Sequence, residues 1–235
     1  MREVKRKGKY LIFEFDGDEK IICLNHLAMT GSWIERKFPK IPLHSRFALS
    51  FDRQTIDFVD MRKWGKFLVF KSQDFFDDEK IQKKLSSLGP DSLNNEVTLE
   101  YILHFVDKHR SKNDKTFNSE IKPLLLDQNF VSGLGNIYAS EVCFLSNINP
   151  TKKLSELTID EFEQLQTAIF PIVEQAYKSG GSSIRDYIHP DGTIGNAQHK
   201  HFVYNKRQCL MCKSDIIKII QDKRSTFYCE KCQKK

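Results

Sequence analysis

No run of this 235-residue sequence is both apolar and long enough to cross a membrane, and its first residues lack the hydrophobic core of a signal peptide. No internal repeat is visible. There are only six cysteines, and two of them, Cys23 and Cys143, stand singly in apolar surroundings, which argues against a disulfide framework. We therefore expect a soluble, cytoplasmic protein, and a monomer.

A strong charge excess is also absent. Lysine and arginine number 37 against 31 aspartate and glutamate residues, which gives a formal net charge of +6 and an isoelectric point near 8.9. The sign suits a negatively charged partner, either nucleic acid or an acidic surface, although many soluble proteins carry a similar charge. At this length, and with 18 phenylalanines, the chain can bury a core as one large domain or two small ones.

The other four cysteines form the strongest pattern in the sequence. They make two Cys-x-x-Cys pairs separated by sixteen residues: Cys209, Cys212, Cys229 and Cys232. Four thiolates at this spacing are typical of a zinc ribbon, and runs at 216–220 and 226–228 supply two strands between the pairs. We predict one structural, tetrahedral Zn²⁺, which leaves no open position for a substrate and folds the tail. The turn between the strands carries Arg224 beside small hydroxyl residues, and it is suited to hold a phosphate.

A second pattern lies at 122–141, in the sequence KPLLLDQNFVSGLGNIYASE. Apolar residues are followed by a turn with Gly133 and Gly135, and Asn136 opens a second periodic segment, so the pattern predicts helix, turn, helix. The bare N–H groups of a glycine-rich turn and the positive end of the second helix favour an anion such as phosphate. The alternative is an ordinary helical hairpin whose glycines only cap the first helix.

The first half of the sequence is rich in β-favouring runs, at 10–15, 20–24, 47–51, 55–59 and 66–70. A linker rich in Ser, Gly, Pro and Asn follows at 85–95. Helical periodicity resumes at 98–106 and again at 154–178, where Thr158 is placed to act as an N-cap. The segment 184–204 is polar and rich in turns, and we expect a long loop there. The order of these segments predicts an α+β fold.

Three segments of this first half carry residues suited to nucleic-acid chemistry. Lys9 lies in a cationic cluster at 6–10, where a phosphate could bind, although lysines also keep edge strands soluble. Met29 stands on a loop before a glycine, although methionine more often fills a core. Arg62 and Trp64 flank one loop and suit stacking on bases, although a structural tryptophan beside a solvated arginine is as common.

Taken together, these motifs resemble those of the formamidopyrimidine-DNA glycosylase family, which removes oxidised bases from DNA and nicks the resulting abasic site. The resemblance runs from about Val4 to Gln233. LLLDQNFVSGLGNIYASE is similar to the family's helix-two-turn-helix, and QCLMC through RSTFYCEKCQ is similar to its zinc finger. The motifs RKGKY, HLAMTG, DMRKWG and GGSSIRDYIHPDG fall in the family's order around them.

The resemblance implies roles for individual residues. Lys9 corresponds to the lysine credited with β-elimination, and Arg224 to the arginine of the δ-elimination step. Met29, Arg62 and Trp64 correspond to the wedge that fills the gap left by a flipped nucleotide and probes the opposite base. Contacts with DNA are also implied for four residues that carry donors: His44, Lys122, Asn136 and Arg224.

The resemblance further implies the domain organisation and the partner. We expect a partial N-terminal β-sandwich of the catalytic type at 1–90, a helical domain with the helix-two-turn-helix and the lesion loop at 96–200, and a zinc finger at 201–235. The loop at 180–195 resembles the segment that closes over the everted base. The implied partner is double-stranded DNA with damaged bases or abasic sites, in the cytoplasm of a bacterial-type cell, and the implied substrates are oxidised purines such as formamidopyrimidine and 8-oxoguanine.

The family's catalytic start is not found in this sequence. In the family an N-terminal proline attacks the sugar C1′ and forms a Schiff base, assisted by the glutamate that follows. Here the sequence begins Met1-Arg2-Glu3, which aligns with an internal position of the family. Two hypotheses follow: a glycosylase and lyase, as a fragment of a longer protein or with a substitute amine such as Lys9, or a module that binds damaged DNA without cutting it. Because Lys9 and Arg224 are both present, we predict the family's activity.

Overall fold

The structure, a computed structural model, describes residues 1–112, 114–181, 191, 193 and 195–234. The chain divides into two compact units. The first consists of Met1–Ser86 and Ala176–His199, and the second of Ser87–Gln175 and Lys200–Lys235. Among the described residues, no helix is long and apolar enough to span a membrane.

Two antiparallel sheets make up most of the first unit. Their strands are β1 (Glu3–Lys7), β2 (Tyr10–Phe15), β3 (Ile21–His26), β4 (Ser32–Glu35), β5 (Ser45–Ser50), β6 (Thr55–Val59) and β7 (Lys66–Lys71). One sheet has the order β1-β2-β3-β7 and the other the order β4-β6-β5. These strands follow the β-branched and aromatic runs of the sequence, so the predicted strand positions are confirmed to within a few residues.

The two sheets enclose an aromatic core, which confirms the predicted β-sandwich. Trp33 of β4 is its centre, with ring centroids 5.3 Å from Phe13 and 5.2 Å from Phe58. Phe47 and Phe67 close the cluster at 4.6 Å from each other. Two short helices that the sequence reading missed, α1 (Ser72–Asp77) and α2 (Glu79–Ser86), follow the last strand.

The second unit is mainly helical. Its helices are α3 (Leu99–Lys112), α4 (Ile121–Leu125), α5 (Asn136–Leu145) and α6 (Ile159–Lys178), and the last three residues of α6 are counted with the first unit. The predicted N-cap of α6 is confirmed, because the Glu161 amide donates to Thr158 Oγ1 at 3.3 Å and the Glu161 carboxylate accepts the Thr158 amide at 2.9 Å. The predicted helix-turn-helix corresponds to α4 and α5.

A two-stranded hairpin ends the chain, with β8 (Ile217–Gln221) and β9 (Arg224–Tyr228) joined by a tight turn. Asp222 and Lys223 form the turn with φ angles of 43° and 63°, the left-handed conformation that a two-residue hairpin with the native twist needs. The hairpin lies between the two cysteine pairs, as the sequence predicts. Beyond the hairpin, Gln233 fastens the chain to the segment that follows α5, because its Nε2 donates to the Ile148 carbonyl at 2.9 Å.

Candidate nucleic-acid interface

Two loops of the first unit present the predicted wedge residues to solvent. Met29 is 60 % exposed and Trp64 is 56 % exposed, although both are large and apolar. The Arg62 guanidinium lies over the Trp64 ring, with its Cζ 5.4 Å from the ring centroid. The alternative reading of a core methionine and a structural tryptophan is therefore wrong, because neither side chain is buried.

A buried carboxylate that sequence reasoning did not single out, Asp60, holds the two loops. Its side chain accepts hydrogen bonds from the Thr30 hydroxyl, from the Arg62 amide at 3.2 Å and from the Gly65 amide at 2.7 Å. Asp60 is 1 % exposed. Burial raises the pKa of this carboxyl, but the hydrogen bonds outweigh burial and the net pKa is lowered. The carboxylate therefore stays ionised and fixes both loops from within.

Glycine is required on each of these loops. A Cβ on Gly31 would lie 2.4 Å from the Leu27 carbonyl oxygen, and a Cβ on Gly65 would lie 2.7 Å from the Phe58 ring. Both distances are far below van der Waals contact. The glycines thus allow the loops to fold tightly onto the sheet and leave the wedge side chains outside.

His44 is joined to the same loop system through its backbone. The residue is exposed, has a φ of 64°, and its carbonyl accepts the Asp60 amide at 3.1 Å. Arg46, which the sequence analysis did not single out, donates from Nε to the Asp60 carbonyl at 2.7 Å and from a terminal nitrogen to the Met61 carbonyl at 3.3 Å. The backbone of His44 therefore belongs to the same hydrogen-bond network that holds the wedge loops.

Lys9 lies at one end of the larger sheet, in the turn between β1 and β2. It lines a cavity of about 240 Å³ together with Arg6 and His26. His26 Nδ1 accepts the Ala28 amide at 3.1 Å, and burial lowers the pKa of the imidazole, with further lowering by the ammonium groups of Lys9, Lys84 and Lys66. Several cations therefore converge on this end of the sheet, which is an arrangement that attracts an anion.

In the second unit, Lys122 and Asn136 contact the hairpin of β8 and β9. Lys122 is fully buried, and its Nζ donates to Asn136 Oδ1 at 2.6 Å, to Thr226 Oγ1 at 2.8 Å and to the Ser225 carbonyl at 3.3 Å. Asn136 Nδ2 donates to the same Ser225 carbonyl at 2.8 Å. Arg224, the residue before Ser225, is exposed on the hairpin. The structure thus brings together Lys122, Asn136 and the segment that carries Arg224.

The pKa of Lys122 is lowered to about 8, chiefly by burial; Cys143 acts in the opposite direction, and the Arg224 guanidinium adds to the lowering. The three oxygens that accept hydrogen bonds from the ammonium belong to an amide, a hydroxyl and a backbone carbonyl, and none is a carboxylate. A cationic side chain is therefore held beside a second cation, with only neutral oxygens around it. Such a place has a positive potential that a phosphate can neutralise.

Glu141 is a second residue that sequence reasoning did not single out. Its side chain is 2 % exposed and accepts the backbone amides of Phe202 at 2.5 Å, Val203 at 3.1 Å and Tyr204 at 2.8 Å. Burial raises the pKa of this carboxyl, and the three amides oppose that effect. The carboxylate fixes the chain that leads into the zinc finger onto α5.

The four cysteines of the tail lie together as the spacing predicts. Their ligand atoms are all within 4.8 Å of one another. The Sγ atoms of Cys209 and Cys232 are 3.9 Å apart, and those of Cys212 and Cys229 are 3.4 Å apart. Four sulfurs at about 2.3 Å from one tetrahedral ion would be about 3.8 Å apart, so the donor set can hold a metal ion such as zinc.

A lesion loop is predicted from the sequence at 180–195. Most of the segment at 180–195, including the greater part of GGSSIRDYIHPDG, lies outside the described residues. Gly180 and Gly181, at its start, have φ angles of 72° and 77°.

The first unit is a β-sandwich with an aromatic core and exposed apolar wedge residues. The second unit contains a helix-two-turn-helix fastened to a four-cysteine finger. These features define a class of DNA-binding protein with separate elements for bases and phosphates. The sequence profile described as the formamidopyrimidine-DNA glycosylase N-terminal domain matches residues 1–67, and the profile described as the formamidopyrimidine-DNA glycosylase H2TH domain matches residues 88–188. The chain belongs to the formamidopyrimidine-DNA glycosylase family, whose members are DNA glycosylases and abasic-site lyases of base-excision repair.

Individual relatives support this assignment over nearly the whole chain. The formamidopyrimidine-DNA glycosylase of Bartonella tribocorum is 35 % identical over 99 % of this chain and 82 % of its own length, and that of Cytobacillus firmus is 33 % identical over 99 % and 81 %. Among solved structures, the complex of Lactococcus lactis Fpg with DNA that contains an abasic site has a TM-score of 0.83 at 32 % identity, covering 99 % of this chain and 81 % of that one. The MutM (Fpg) protein of Thermus thermophilus has a TM-score of 0.83 at 29 % identity, covering 98 % and 82 %.

Proposed function

We propose that this chain is a DNA glycosylase and abasic-site lyase of base-excision repair that removes oxidised purines, of the formamidopyrimidine and 8-oxoguanine type, from duplex DNA. The observation that carries the proposal is the wedge of Met29, Arg62 and Trp64, which is held outside the fold by the buried Asp60. Large apolar side chains left in water are stabilised when a base or a gap in a base stack receives them. The Lactococcus lactis relative in complex with abasic-site DNA supports the same assignment.

The wedge acts on the base stack in this proposal. Extrusion of a nucleotide costs a few kcal/mol of stacking and pairing, and a side chain that fills the vacated space offsets part of that cost. Met29 is flexible and polarizable, so it adapts to the gap, while Arg62 donates hydrogen bonds to the opposite base. Trp64 stacks under Arg62, at 5.4 Å, and keeps the guanidinium extended.

Several polar and cationic residues hold the phosphates in this proposal. Arg224 contacts the phosphates beside the lesion from the hairpin, where its exposed guanidinium can form a bidentate contact. Asn136 contributes at the first turn of α5, Lys122 of α4 adds positive charge behind it, and His44 contributes from the loop that follows β4. Much of the affinity is then electrostatic and falls as salt rises.

Lys9 and Arg224 serve the elimination steps. In the lyase reaction an amine adds to the C1′ aldehyde of an abasic site and water leaves, which joins carbon and nitrogen as an iminium. The iminium withdraws electrons, C2′ loses a proton, and the electron pair left behind breaks the C3′–O bond so that the 3′ phosphate departs. Lys9, in its cationic cavity, assists this β-elimination, and Arg224 assists the second, δ-elimination at the 5′ phosphate.

The finger holds one structural zinc ion. Cys209, Cys212, Cys229 and Cys232 supply four thiolates, which suit zinc and leave no position for a reacting ligand. Bound zinc supplies folding free energy to the tail and no chemistry to the reaction. Its role is to keep the turn between β8 and β9 rigid, and so to present Arg224.

The second candidate function is a module that recognises damaged or bent DNA without cutting it. The observation that favours it is that the exposed wedge can act by contact alone, as can the phosphate residues Asn136 and His44, so binding needs none of the elimination chemistry. In both cases the site of action is the cytoplasm of a bacterial-type cell, where the duplex DNA lies, and the chain acts as a monomer.

Borohydride trapping on a duplex with one abasic site separates the two functions. Reduction converts an iminium into a stable amine, so an enzyme is recovered as a covalent protein–DNA adduct and a binding module is not. We expect an adduct with the unchanged chain. If none forms although the duplex binds and binding weakens with salt, the chain is the binding module.

Variants identify the amine. Lys9→Ala removes the adduct if Lys9 itself forms the iminium, and slows cleavage while the adduct persists if Lys9 only assists. Lys20→Ala is the matched control, because Lys20 is an exposed lysine outside the cationic cluster at 6–10 and its loss removes the same charge. Arg224→Ala should leave the adduct in place and stop the reaction after β-elimination.

A further inference from the structure

Lys122 is the one lysine among the described residues that is fully buried. It lies on the short helix α4, and its side chain reaches away from that helix to two other elements. Asn136 Oδ1 is at the first turn of α5, and Thr226 Oγ1 and the Ser225 carbonyl belong to β9. One nitrogen atom therefore joins three elements that are 14 to 104 residues apart in the chain.

The three bonds use the whole donor capacity of the ammonium, which has three N–H groups and no acceptor. The network is closed by Asn136, whose Nδ2 donates at 2.8 Å to the same Ser225 carbonyl. A phosphate oxygen could be bound by Nζ only if one of these protein acceptors were given up. The geometry therefore does not favour a direct contact between Lys122 and DNA.

The cost of this arrangement shows that it does more than fill space. A buried ammonium without a carboxylate loses several kcal/mol of hydration, which neutral oxygens replace only in part. A methionine of similar length would fill the same volume and avoid the desolvation of the ammonium, but it would leave the three oxygens without this donor. What the ammonium provides is a fixed distance between the start of α5 and the carbonyl next to Arg224.

We propose that Lys122 is a positioning residue, which fastens the Arg224 hairpin to the N-terminus of α5 so that Arg224 and Asn136 form a single phosphate site. The proposal rests on the proposed function, because it explains how Arg224 and Asn136 are held in place to bind a DNA phosphate. Its charge also adds to the positive potential at that site without touching the ligand. The lowered pKa of Lys122, to about 8, agrees with an ammonium that faces Arg224 and only neutral groups of Asn136 and Thr226.

A double-mutant cycle tests the proposal with a duplex that contains a tetrahydrofuran abasic-site analogue as the probe. Lys122→Met is combined with Arg224→Ala, and Lys108→Met, an exposed position on α3, is the matched control for the loss of a lysine. We expect Lys122→Met to weaken binding by about tenfold, a typical size for a coupled pair, and to have little further effect once Arg224 is removed. Lys108→Met should leave the affinity within about twofold of the unchanged chain.

The dependence of binding on salt separates positioning from direct contact. Loss of one phosphate contact lowers the slope of log K against log salt by about 0.9. Arg224→Ala should show this decrease, and the double variant should show no more. If Lys122→Met retains its full effect in the Arg224→Ala background and lowers the slope by a further contact, Lys122 is itself a phosphate ligand and the proposal is overturned.

Hydrogen exchange in the free protein tests the same fastening without DNA. Lys122→Met should accelerate exchange of the β9 amides, and Thr226→Val, which removes one acceptor at nearly constant shape, should act in the same direction more weakly. Unchanged exchange in both variants overturns the proposal. If Lys122→Met does not fold, Thr226→Val alone decides the outcome. Absence of binding by the unchanged chain would remove the proposed function, whereas the exchange result would still decide whether Lys122 holds the hairpin.

Discussion

Replacement of Asp60 by asparagine is the sharpest test of how the wedge is held. The carboxylate accepts two backbone amides and the Thr30 hydroxyl, and it is almost completely buried. Asparagine has the same shape, but it has one acceptor oxygen and turns an N–H₂ group toward at least one donor. Buried hydrogen bonds to a charged group contribute about 1.5–3 kcal/mol each, so we expect Asp60→Asn to lower the free energy of unfolding by about 2–4 kcal/mol.

Tryptophan fluorescence measures this loss of unfolding free energy in the first unit. The sequence has two tryptophans, Trp33 and Trp64, and both belong to the first unit. Urea titrations of the unchanged chain and of Asp60→Asn therefore report the unfolding of that unit. Asp52→Asn, at an exposed turn position, is the control and should change the unfolding free energy by less than about 0.5 kcal/mol.

The destabilisation caused by Asp60→Asn should also become smaller as the pH falls. The pKa of Asp60 is lowered in the folded protein from its ordinary value of 3.8, so its stabilising contribution is complete above that value and is lost as the pH falls through the lower folded pKa. The difference between the unchanged chain and Asp60→Asn should therefore narrow below pH 3.8. A difference below about 0.5 kcal/mol at pH 7 would refute the assigned role of this carboxylate.

Three further perturbations address the wedge, α5 and the finger. Trp64→Ala should weaken binding to an abasic-site duplex by about 1–3 kcal/mol, the usual contribution of an aromatic stacked on a base, and leave the urea midpoint unchanged because the ring is exposed. Glu141→Gln should destabilise the second unit by about 1–3 kcal/mol and accelerate hydrogen exchange of the 202–204 amides; unchanged exchange would contradict the contact. Metal analysis should find one zinc ion per chain, and Cys209→Ser should abolish it together with high-affinity DNA binding; a metal-free chain with full affinity would contradict the finger's role.

Much of the fold could be predicted because its signals are local. The run at 10–15 is rich in apolar and aromatic residues and ends at an Asp-Gly turn, and the structure forms β2 at Tyr10–Phe15. The cysteine spacing likewise fixes which four side chains can meet. The helices α1 and α2 were missed because they are only six and eight residues long and each buries a single side chain, Phe75 or Leu85, which gives too few apolar positions to establish a helical period.

The supporting residues of the site could not be predicted, because their partners are distant in the chain. Asp60 and Thr30 are separated by 30 positions, Glu141 and Val203 by 62, and Lys122 and Thr226 by 104. A carboxylate or an ammonium in a sequence is most often on the surface, and only the fold shows which one is buried with donors or acceptors around it. Family resemblance points to the groups that touch DNA and says less about the groups that hold them.

The wedge and the phosphate site share one arrangement. It predicts which substitutions weaken DNA binding alone and which also lower stability. In each, an exposed side chain that has no stable position by itself stands on a turn that a buried charged group fixes from below: Asp60 under Trp64, and Lys122 beside Arg224. Removal of an exposed member costs affinity alone, because few contacts within the protein are lost. Removal of a buried member costs stability and affinity together, because its unpaired partners remain buried and the loop above them moves. When the loss of unfolding free energy is plotted against the loss of binding free energy for each variant, Trp64→Ala and Arg224→Ala should therefore lie along the binding axis. Asp60→Asn and Lys122→Met should lie near the diagonal, where both losses are large.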